Sequence, residues 1–561
     1  MTRQGEKTTI SQPTHAFLQV ALVYPNVYRI GMGNLGFQAV FALLNDLPGV
    51  LAERFFVPDP GLPCRFGKGE PKSEESSRPL SSFPVLAFSV PFENDYPVVP
   101  KMLMAAGIPP LARDRKAGDP LVIAGGVAVS LNPEPLSPFV DIVFIGEAFG
   151  NREGSASQLF LRLGEIFRCG GVRALRSPEL TEEVRNIPGV YVPGAYTVAY
   201  HQDGSIASMT PVAGFPHRVR AVKHLTHGGA LPFSVLFSPD AEFGESLLVE
   251  INRGCGRGCR FCASGWIHRP VRHAAYDRFK DQVERAIHDG HTVGLIGADL
   301  AGHPQLEEIL KDIVAKGGTF SLSSIRPEGL TPLVIELLAQ TGQKTATLAP
   351  EVGSLRMKRV VGKEIPSERF LELVRQLVSA GIPNVRFYFM TGLPGESEKD
   401  VEAIVDFMHE AHRVFVHASR PQGIIGRLSV QLNPFVPKPW TPFQWSAALT
   451  ISRVRHHLEI VTRGLRRLPN VKVRFESPRQ ALIQALFSRG DRRIADIIMR
   501  AAQTEGSWWS RIGRDAGLLE WYAYRERPFE EIFPWDIVDH GISKEVLWHN
   551  LHRAKIHMGG A

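Results

Sequence analysis

The 561-residue chain reads as an α/β protein in three parts: a doubly wound N-terminal domain, a partial (β/α)6 barrel and a mainly helical C-terminal region. Three observations carry that reading. Short apolar runs of buried-strand length recur early in the chain and again from Leu247 to Asn433, with helical patterns between them. A hairpin signature, His201-Gln202-Asp203-Gly204, interrupts the alternation between the two stretches. After Trp445 the strand pattern gives way to helical periodicity.

The runs Phe17–Tyr24, Val85–Val90, Leu121–Ala124 and Ile142–Ile145 are continuously apolar, as strands covered on both faces must be. Helical patterns at Asn34–Leu44 and Pro97–Ala106 separate them. Residues 1–189 are therefore one α/β domain, with ligands expected at the carboxyl ends of its strands. Residues 190–245 form a β-rich connector, in which Val190–Tyr200 and Ile206–Val212 flank the hairpin turn. Residues 246–445 carry six further strands: Leu247–Asn252, Thr292–Gly297, Thr319–Ser324, Lys344–Ala349, Asn384–Met390 and Arg427–Asn433. Helical segments such as Tyr276–His288, Gln305–Ala315, Pro366–Ala380 and Glu398–His412 lie between them, which makes six β/α units. Functional side chains of such a barrel sit at the carboxyl ends of its strands. Residues 446–561 complete the chain as a mainly helical domain.

The first barrel strand runs into Arg253-Gly254-Cys255-Gly256-Arg257-Gly258-Cys259-Arg260-Phe261-Cys262, which holds three of the five cysteines. Thiolates ligate soft metals, and a compact cysteine loop is how a protein holds an iron–sulfur cluster. A complete 4Fe-4S cage takes four thiolates; with Cys255, Cys259 and Cys262 alone, one iron keeps an open site. Gly254, Gly256 and Gly258 suit a loop that wraps a bulky cluster. The competing reading is a Cys3His zinc site with His268 as the fourth ligand. Cys64 and Cys169 are far apart and read as buried inert thiols.

Composition fits a cytoplasmic enzyme. Hydrophobic residues make up 44% of the chain, enough for several folded cores. Met1 to His15 is polar, without the apolar core of a signal peptide, and no run approaches the roughly 20 apolar residues of a membrane span. Few cysteines in this pattern fit a reducing compartment. The net charge is +7, and residues 451–500 contain twelve Lys or Arg against four Asp or Glu. Such a basic region fits nucleic acid or an anionic substrate, with a solvated helical surface as the plain alternative.

With Phe261 at the aromatic place of C-x3-C-x-aromatic-C, the cysteine loop resembles that of the radical S-adenosylmethionine (SAM) superfamily. The resemblance implies a 4Fe-4S cluster on Cys255, Cys259 and Cys262 and SAM bound to the open iron through its amino and carboxylate groups. One electron from an external donor such as flavodoxin or ferredoxin then breaks a sulfur–carbon bond of SAM and leaves a 5′-deoxyadenosyl radical. Residue by residue, Phe261 would pack the adenine. Gly297-Ala298-Asp299 stands where relatives carry Gly-Gly-Glu, which makes Asp299 the acceptor for the SAM amino group. Strand three ends in Ser323-Ser324-Ile325-Arg326, and Ser324 joins the cofactor set. Strand four ends in Ala349-Pro350-Glu351-Val352-Gly353-Ser354, which puts Glu351 near the SAM ribose, Ser354 beside it and Arg356 against the SAM carboxylate. Strand five runs into Met390-Thr391-Gly392-Leu393-Pro394-Gly395-Glu396.

Asn433 to Trp445, Arg489 to Arg493 and Pro534-Trp535-Asp536 resemble an uncharacterised subgroup of that superfamily with an N-terminal cobalamin-binding-like domain. This resemblance places a cobalamin face at Gly125-Gly126, Asn132-Pro133-Glu134-Pro135 and Gly146-Glu147. The signature D-x-H-x-x-G is missing after the first strand, so no histidine of that loop is expected to ligate cobalt. A literal match at Asp289 to Gly294 enters the second barrel strand and is coincidental. A vestigial domain without cofactor stays open. The G-x-G-x-x-G at Gly31 to Gly36 reads as a glycine-rich helix entry, because the preceding strand ends too early for a pyrophosphate loop. The functional expectation is a radical SAM enzyme that abstracts hydrogen from an unreactive carbon, with methyl transfer as the outcome if cobalamin binds; substrate and substrate-side catalytic residues are not identified. One alternative is tRNA methylthiolation, whose family brings a second N-terminal three-cysteine cluster that this chain lacks. Another is a zinc-stabilised nucleic-acid-binding protein using the Arg453–Arg493 surface.

Overall fold

The computed structural model describes residues 5–10, 13, 15–58, 69–149, 153–224, 231–323, 325–423, 426–504 and 516–559. In the N-terminal domain, strands β1 (Leu18–Val27), β2 (Val50–Val57), β3 (Val85–Ser89), β4 (Leu121–Gly125), β5 (Ile142–Phe144) and β6 (Val190–Tyr191) form one sheet in the order β2-β1-β3-β4-β5-β6. All its pairings are parallel except the last, β5 with β6. Successive residues of β1 serve opposite cores. Val20 and Leu22 pack on Phe37 and Leu159 from the helices Leu35–Asp46 and Ser155–Ala174. Ala21 and Val23 join Val99 and Met102 of helix Val98–Ala105 and, beyond them, Phe487 and Ile498 from the C-terminal region. Double coverage is why these strands read as unbroken apolar runs.

Sequence reasoning passed over two strands of this sheet. β2 carries Glu53 and Arg54 in its middle, which hides it from a search for apolar runs. Both are buried. Arg54 donates to Glu6 at 2.6 Å and pairs with Glu75, and Ser76 donates to Glu53. β6 was assigned to the connector, yet it closes the N-terminal sheet. The hairpin itself forms as expected between β7 (Tyr196–Tyr200) and β8 (Ile206–Pro211).

The barrel comprises β9 (Leu247–Arg253), β10 (Arg272–His273), β11 (Val293–Gly297), β12 (Phe320–Leu322), β13 (Thr345–Glu351), β14 (Asn384–Thr391), β15 (Arg427–Pro434) and β16 (Val471–Phe475). They form two four-stranded sheets, β10-β9-β11-β12 and β13-β14-β15-β16, parallel throughout except for the short β10. The strand β16 lies past position 445, so the region after Trp445 is not purely helical. Helix Ile451–Leu465 and β16 add another β/α unit to the barrel. Its alternation of Val471 and Val473 with exposed Lys472 and Arg474 belongs to an edge strand with one polar face, which a search for apolar runs misses. The rest of the C-terminal region packs on the N-terminal domain: Asn132 donates to Ser488 O and Gly490 O, and Trp440 to Leu131 O. Lys438 pairs with Glu93 across that contact. Among the described residues, no helix is long and apolar enough to cross a membrane.

Cys169 is exposed, which corrects its expected burial. It lies beyond Leu163 and Gly164, the last buried positions of helix Ser155–Ala174. Cys64 and Ser324 lie outside the described residues.

Candidate active site

The carboxyl ends of the N-terminal sheet and of the first barrel strands face each other across a cavity of about 420 Å³. Ser89, Gly125 and Gly146 line one side; Gly254, His268 and Gly297 line the other. The sheet order places this side at the topological switch between β1 and β3, where open α/β sheets bind ligands. The cavity is mainly apolar, with polar groups on both walls, among them Ser89, Ser130 and Glu147 on the N-terminal side and Glu250, Arg253 and His268 on the barrel side.

The cysteine loop leaves β9 through Gly254, whose φ of 82° lies in the left-handed region. A Cβ there would come within 2.4 Å of His268 O, so only glycine lets the loop turn back so closely. Gly258 also takes a positive φ, 74°; Gly256 does not and has room for a side chain. Trp266 Nε1 donates to Cys259 O at 3.0 Å, and Cys262 N to the same oxygen at 3.3 Å. Arg260 ties the loop to helix Leu355–Val361, where it donates to Arg359 O and Val360 O at 2.6 and 2.9 Å. Cys255 acts electrostatically on Cys259, and both act on Cys262, as thiols of one short loop do. Burial pushes the Cys259 thiol up, while Lys363 and Arg326 pull it back. Burial also raises Cys262, against a backbone contact from Gly265. Binding of a soft metal must displace these protons, and the two cations beside Cys259 favour the thiolate.

Asp299 follows β11 and is buried. Its backbone N–H donates to Asn252 Oδ1 at 3.1 Å, its Oδ2 lies 3.5 Å from Arg257 Nε, and its Oδ1 has no hydrogen-bond partner among the described residues. A Cβ on Gly297 would run into that same Asn252 oxygen, so this glycine permits the packing of β11 on β9 as well as access to the cavity. Glu351 ends β13 with φ at 70°, a conformation that non-glycine residues hold only under constraint. Lys363 supplies the constraint: its Nζ donates to Glu351 Oε1 and Ala349 O, each at 2.7 Å. Phe261 is half-buried against the large core that includes Trp266 and Val352.

The other two expected residues have protein partners of their own. Ser354 caps helix Leu355–Val361 and donates to Asp400 Oδ1 at 2.6 Å. Arg356 pairs with Asp400 Oδ2 and donates to Gly395 O at 2.8 Å and His557 O at 3.2 Å. Both belong to a joint between the β13 and β14 loops and the last helix. Arg326 stands nearer the chemistry. Its charge acts on Cys259, and its Nε is buried without a partner among the described residues.

Sequence reasoning missed Lys363, Asn252, Arg260 and the role of Glu147. Glu147 accepts from both Arg272 terminal nitrogens at 2.8 Å and from His224 N at 2.9 Å; Arg253 and His268 Nδ1 each lie 3.7 Å away. Burial alone would raise the Glu147 carboxyl. The nearby His268, the hydrogen bonds from Arg272 and the charge of Arg253 outweigh it and hold the group well below the usual carboxylate range. Glu147 thus welds the N-terminal domain to the barrel beside the cysteine loop. It also lies 3.7 Å from Nδ1 of His268, the residue that the zinc reading names as a fourth ligand. Among the described residues, no three His, Cys, Asp or Glu side chains converge on the place of a single metal ion. His540, also on the cavity wall, is nearly fully buried with Nε2 at 2.9 Å from Ser130 O, and burial drives its pKa down to about 3.

A cysteine loop at the end of the first strand of a partial barrel defines a class of iron–sulfur enzyme, and comparison with known proteins agrees. The family description "Radical SAM superfamily" matches residues 249–408, and "Radical SAM proteins, N-terminal" matches residues 36–193. The chain belongs to the radical SAM superfamily, whose members use a 4Fe-4S cluster and SAM and need a substrate and a reductant. The uncharacterized protein MJ0966 of Methanocaldococcus jannaschii is 23% identical over 483 residues, covering 85% of this chain and 90% of that protein. The ribosomal protein uS12 methylthiotransferase RimO of Thermodesulfovibrio yellowstonii is 27% identical, but over only 29% of this chain and 41% of RimO. Among solved structures, the radical SAM methyltransferase TsrM of Kitasatospora setae aligns with a TM-score of 0.48 at 14% identity, over 76% of this chain and 75% of TsrM.

Proposed function

We propose that Cys255, Cys259 and Cys262 hold the cluster, that Asp299 and Glu351 position SAM beside it, and that the substrate enters the cavity between the two sheets. One observation supports this most: Asp299 Oδ1 is buried without a partner at the strand end next to the cysteine loop. A buried acceptor left unpaired is costly, and a ligand ammonium group would satisfy it. The cluster supplies the electron that cleaves SAM. Lys363 holds the Glu351 carboxylate in place for hydroxyl donors of the ribose. Phe261 offers an aromatic face to the adenine. For the SAM carboxylate, Arg326 fits better than Arg356: its Nε is unpaired and Glu328 meets its Nη2 only at 3.5 Å, while Arg356 is held by Asp400.

The finer reading is methyl transfer assisted by cobalamin in the same cavity. The β2-β1-β3-β4-β5 order and the position of the cavity at the strand ends support it. Ser89, Gly125 and Gly146 would hold the cofactor through backbone and small side chains. A Cβ on Gly125 would meet nothing nearer than 3.8 Å, so its surface is open, whereas Gly146 abuts the Val222 backbone. The loop after β1 has no histidine, and His540 is bonded to Ser130. A flavodoxin- or ferredoxin-type protein would be the electron donor, and the cysteine usage supports a cytoplasmic setting.

Anaerobic purification with iron, sulfide and cobalamin assays, followed by a test for reductive SAM cleavage, decides the reading. Zinc without iron–sulfur absorbance would overturn it. Electron paramagnetic resonance of the Co(II) form should lack splitting from a histidine nitrogen. Failure to take up cobalamin would remove methyl transfer and leave the SAM assignment standing.

A further inference from the structure

The net charge of the chain is +7, and residues 451–500 alone contribute +8 (twelve cations less four acids), so the remainder is close to neutral. The fold sorts these twelve cations, of which Arg500 lies apart on helix Ala495–Gln503. Arg489 is fully buried and donates to Ser446 O and Ala523 O; Arg492 pairs with Glu134 and Arg493 with Asp491. These three are structural. Arg453, Arg455, Arg463, Arg466, Arg467, Lys472, Arg474 and Arg479 are all exposed, and none has an ion-pair partner among the described residues. Seven of these eight are arginine, whose planar fork matches phosphate oxygens. Helix Ile451–Leu465 packs Val454, Leu458 and Val461 against the barrel, which turns its cations outward. At 1.5 Å per residue its 15 residues span about 22 Å. The edge strand β16 carries Lys472 and Arg474 beside it and ends at Phe475, a ring left 51% exposed. Guarding a sheet edge explains Lys472 and Arg474. It does not explain the helix cations or the exposed ring.

We propose that helix Ile451–Leu465 and β16 form a docking surface for single-stranded nucleic acid, with the arginines on successive phosphates and Phe475 as a stacking platform for a base. Unpaired cations along two neighbouring elements fit a linear polyanion, and an exposed ring within them fits an unstacked base. The inference does not rest on the SAM chemistry, because no residue of this surface belongs to the cavity.

The test is fluorescence anisotropy of a dye-labelled single-stranded RNA 20-mer with the full chain, titrated at several salt concentrations. The Cys255→Ala protein serves as a second host, so that loss of the active site and loss of this surface are told apart. Binding should weaken steeply with salt and be the same in both hosts. The triple variant Arg463→Glu, Arg466→Glu, Arg467→Glu should lower the affinity by at least about tenfold and flatten the log–log salt slope by about 2, at roughly 0.7 per phosphate contact. Phe475→Ala should weaken binding without changing the slope. The reversal Arg285→Glu, Lys311→Glu, on exposed residues of two other barrel helices, should have little effect. Equal loss in that control, or unchanged binding in the triple variant, overturns the proposal. Absence of RNA binding together with loss of flavodoxin-dependent reduction in the triple variant would assign the surface to an acidic redox partner and overturn it as well.

Discussion

The N-terminal sheet and the second barrel sheet are built differently. In β1, β3 and β4 nearly every position is buried, since helices or the C-terminal region cover both faces. In β13, β14 and β15 buried positions alternate with half-exposed ones, because one face packs on helices and the other faces the barrel interior. Consequently the N-terminal sheet presents backbone and glycine at its strand ends, whereas the barrel presents thiols, carboxylates and cations. The difference separates a surface that accommodates a flat apolar group from one that holds charge, and each prediction strains one side of it.

The largest effect is expected on the barrel side. Cys255→Ala, Cys259→Ala or Cys262→Ala should abolish an iron content of about four per chain after anaerobic reconstitution, the stoichiometry of one cubane. Cys169→Ala should leave it unchanged. Iron and sulfide analysis with absorbance reads both.

Next is the bond between the sides. Glu147→Ala leaves buried Arg272 without its carboxylate, and removal of one partner of a buried pair costs about 3–5 kcal/mol. Urea unfolding followed by tryptophan fluorescence measures the loss. A cost below about 1 kcal/mol would show that contacts other than the Glu147–Arg272 pair hold the domains together.

A smaller effect follows from His540. Its pKa is lowered to about 3 in the folded chain against an ordinary value of 6.5. Between those values the unfolded chain binds the proton and the folded one does not, so stability falls as pH falls through that window. From pH 7 to pH 5 this group should remove about 2 kcal/mol. His540→Asn, which keeps a donor for Ser130 O, should flatten that part of the dependence. An unchanged slope would place the acid sensitivity elsewhere.

The smallest expected effect is on SAM. Glu351→Ala should retain the cluster and weaken SAM binding by about tenfold, the worth of one or two hydrogen bonds. Isothermal titration of the reconstituted protein checks it. Unchanged affinity would remove Glu351 from the cofactor site and leave Asp299 and Arg326 to hold SAM.

The sequence by itself determined the cysteine loop, the alternation of strands and helices on either side of the connector and the position of the loop at the end of the first barrel strand. Cysteine spacing, apolar runs and turn residues are local patterns, and each survives without knowledge of distant contacts. Asp299 and Glu351 were proposed for the site from the family resemblance of the segments that follow two predicted strands. Only the tertiary structure decided the rest. Arg272 and Glu147 lie 125 positions apart, and no local pattern marks either as half of a pair. Ser354 and Arg356 match the family in spacing, and the structure shows them bonded to Asp400 and, for Arg356, to the last helix. Lys363 and Arg326 come to Cys259 from loops after two different strands. β16 went unseen because its outward face is charged, and β2 because its buried charges are neutralised by residues elsewhere in the chain. Residues whose partners are distant in sequence acquire their roles only when the chain folds.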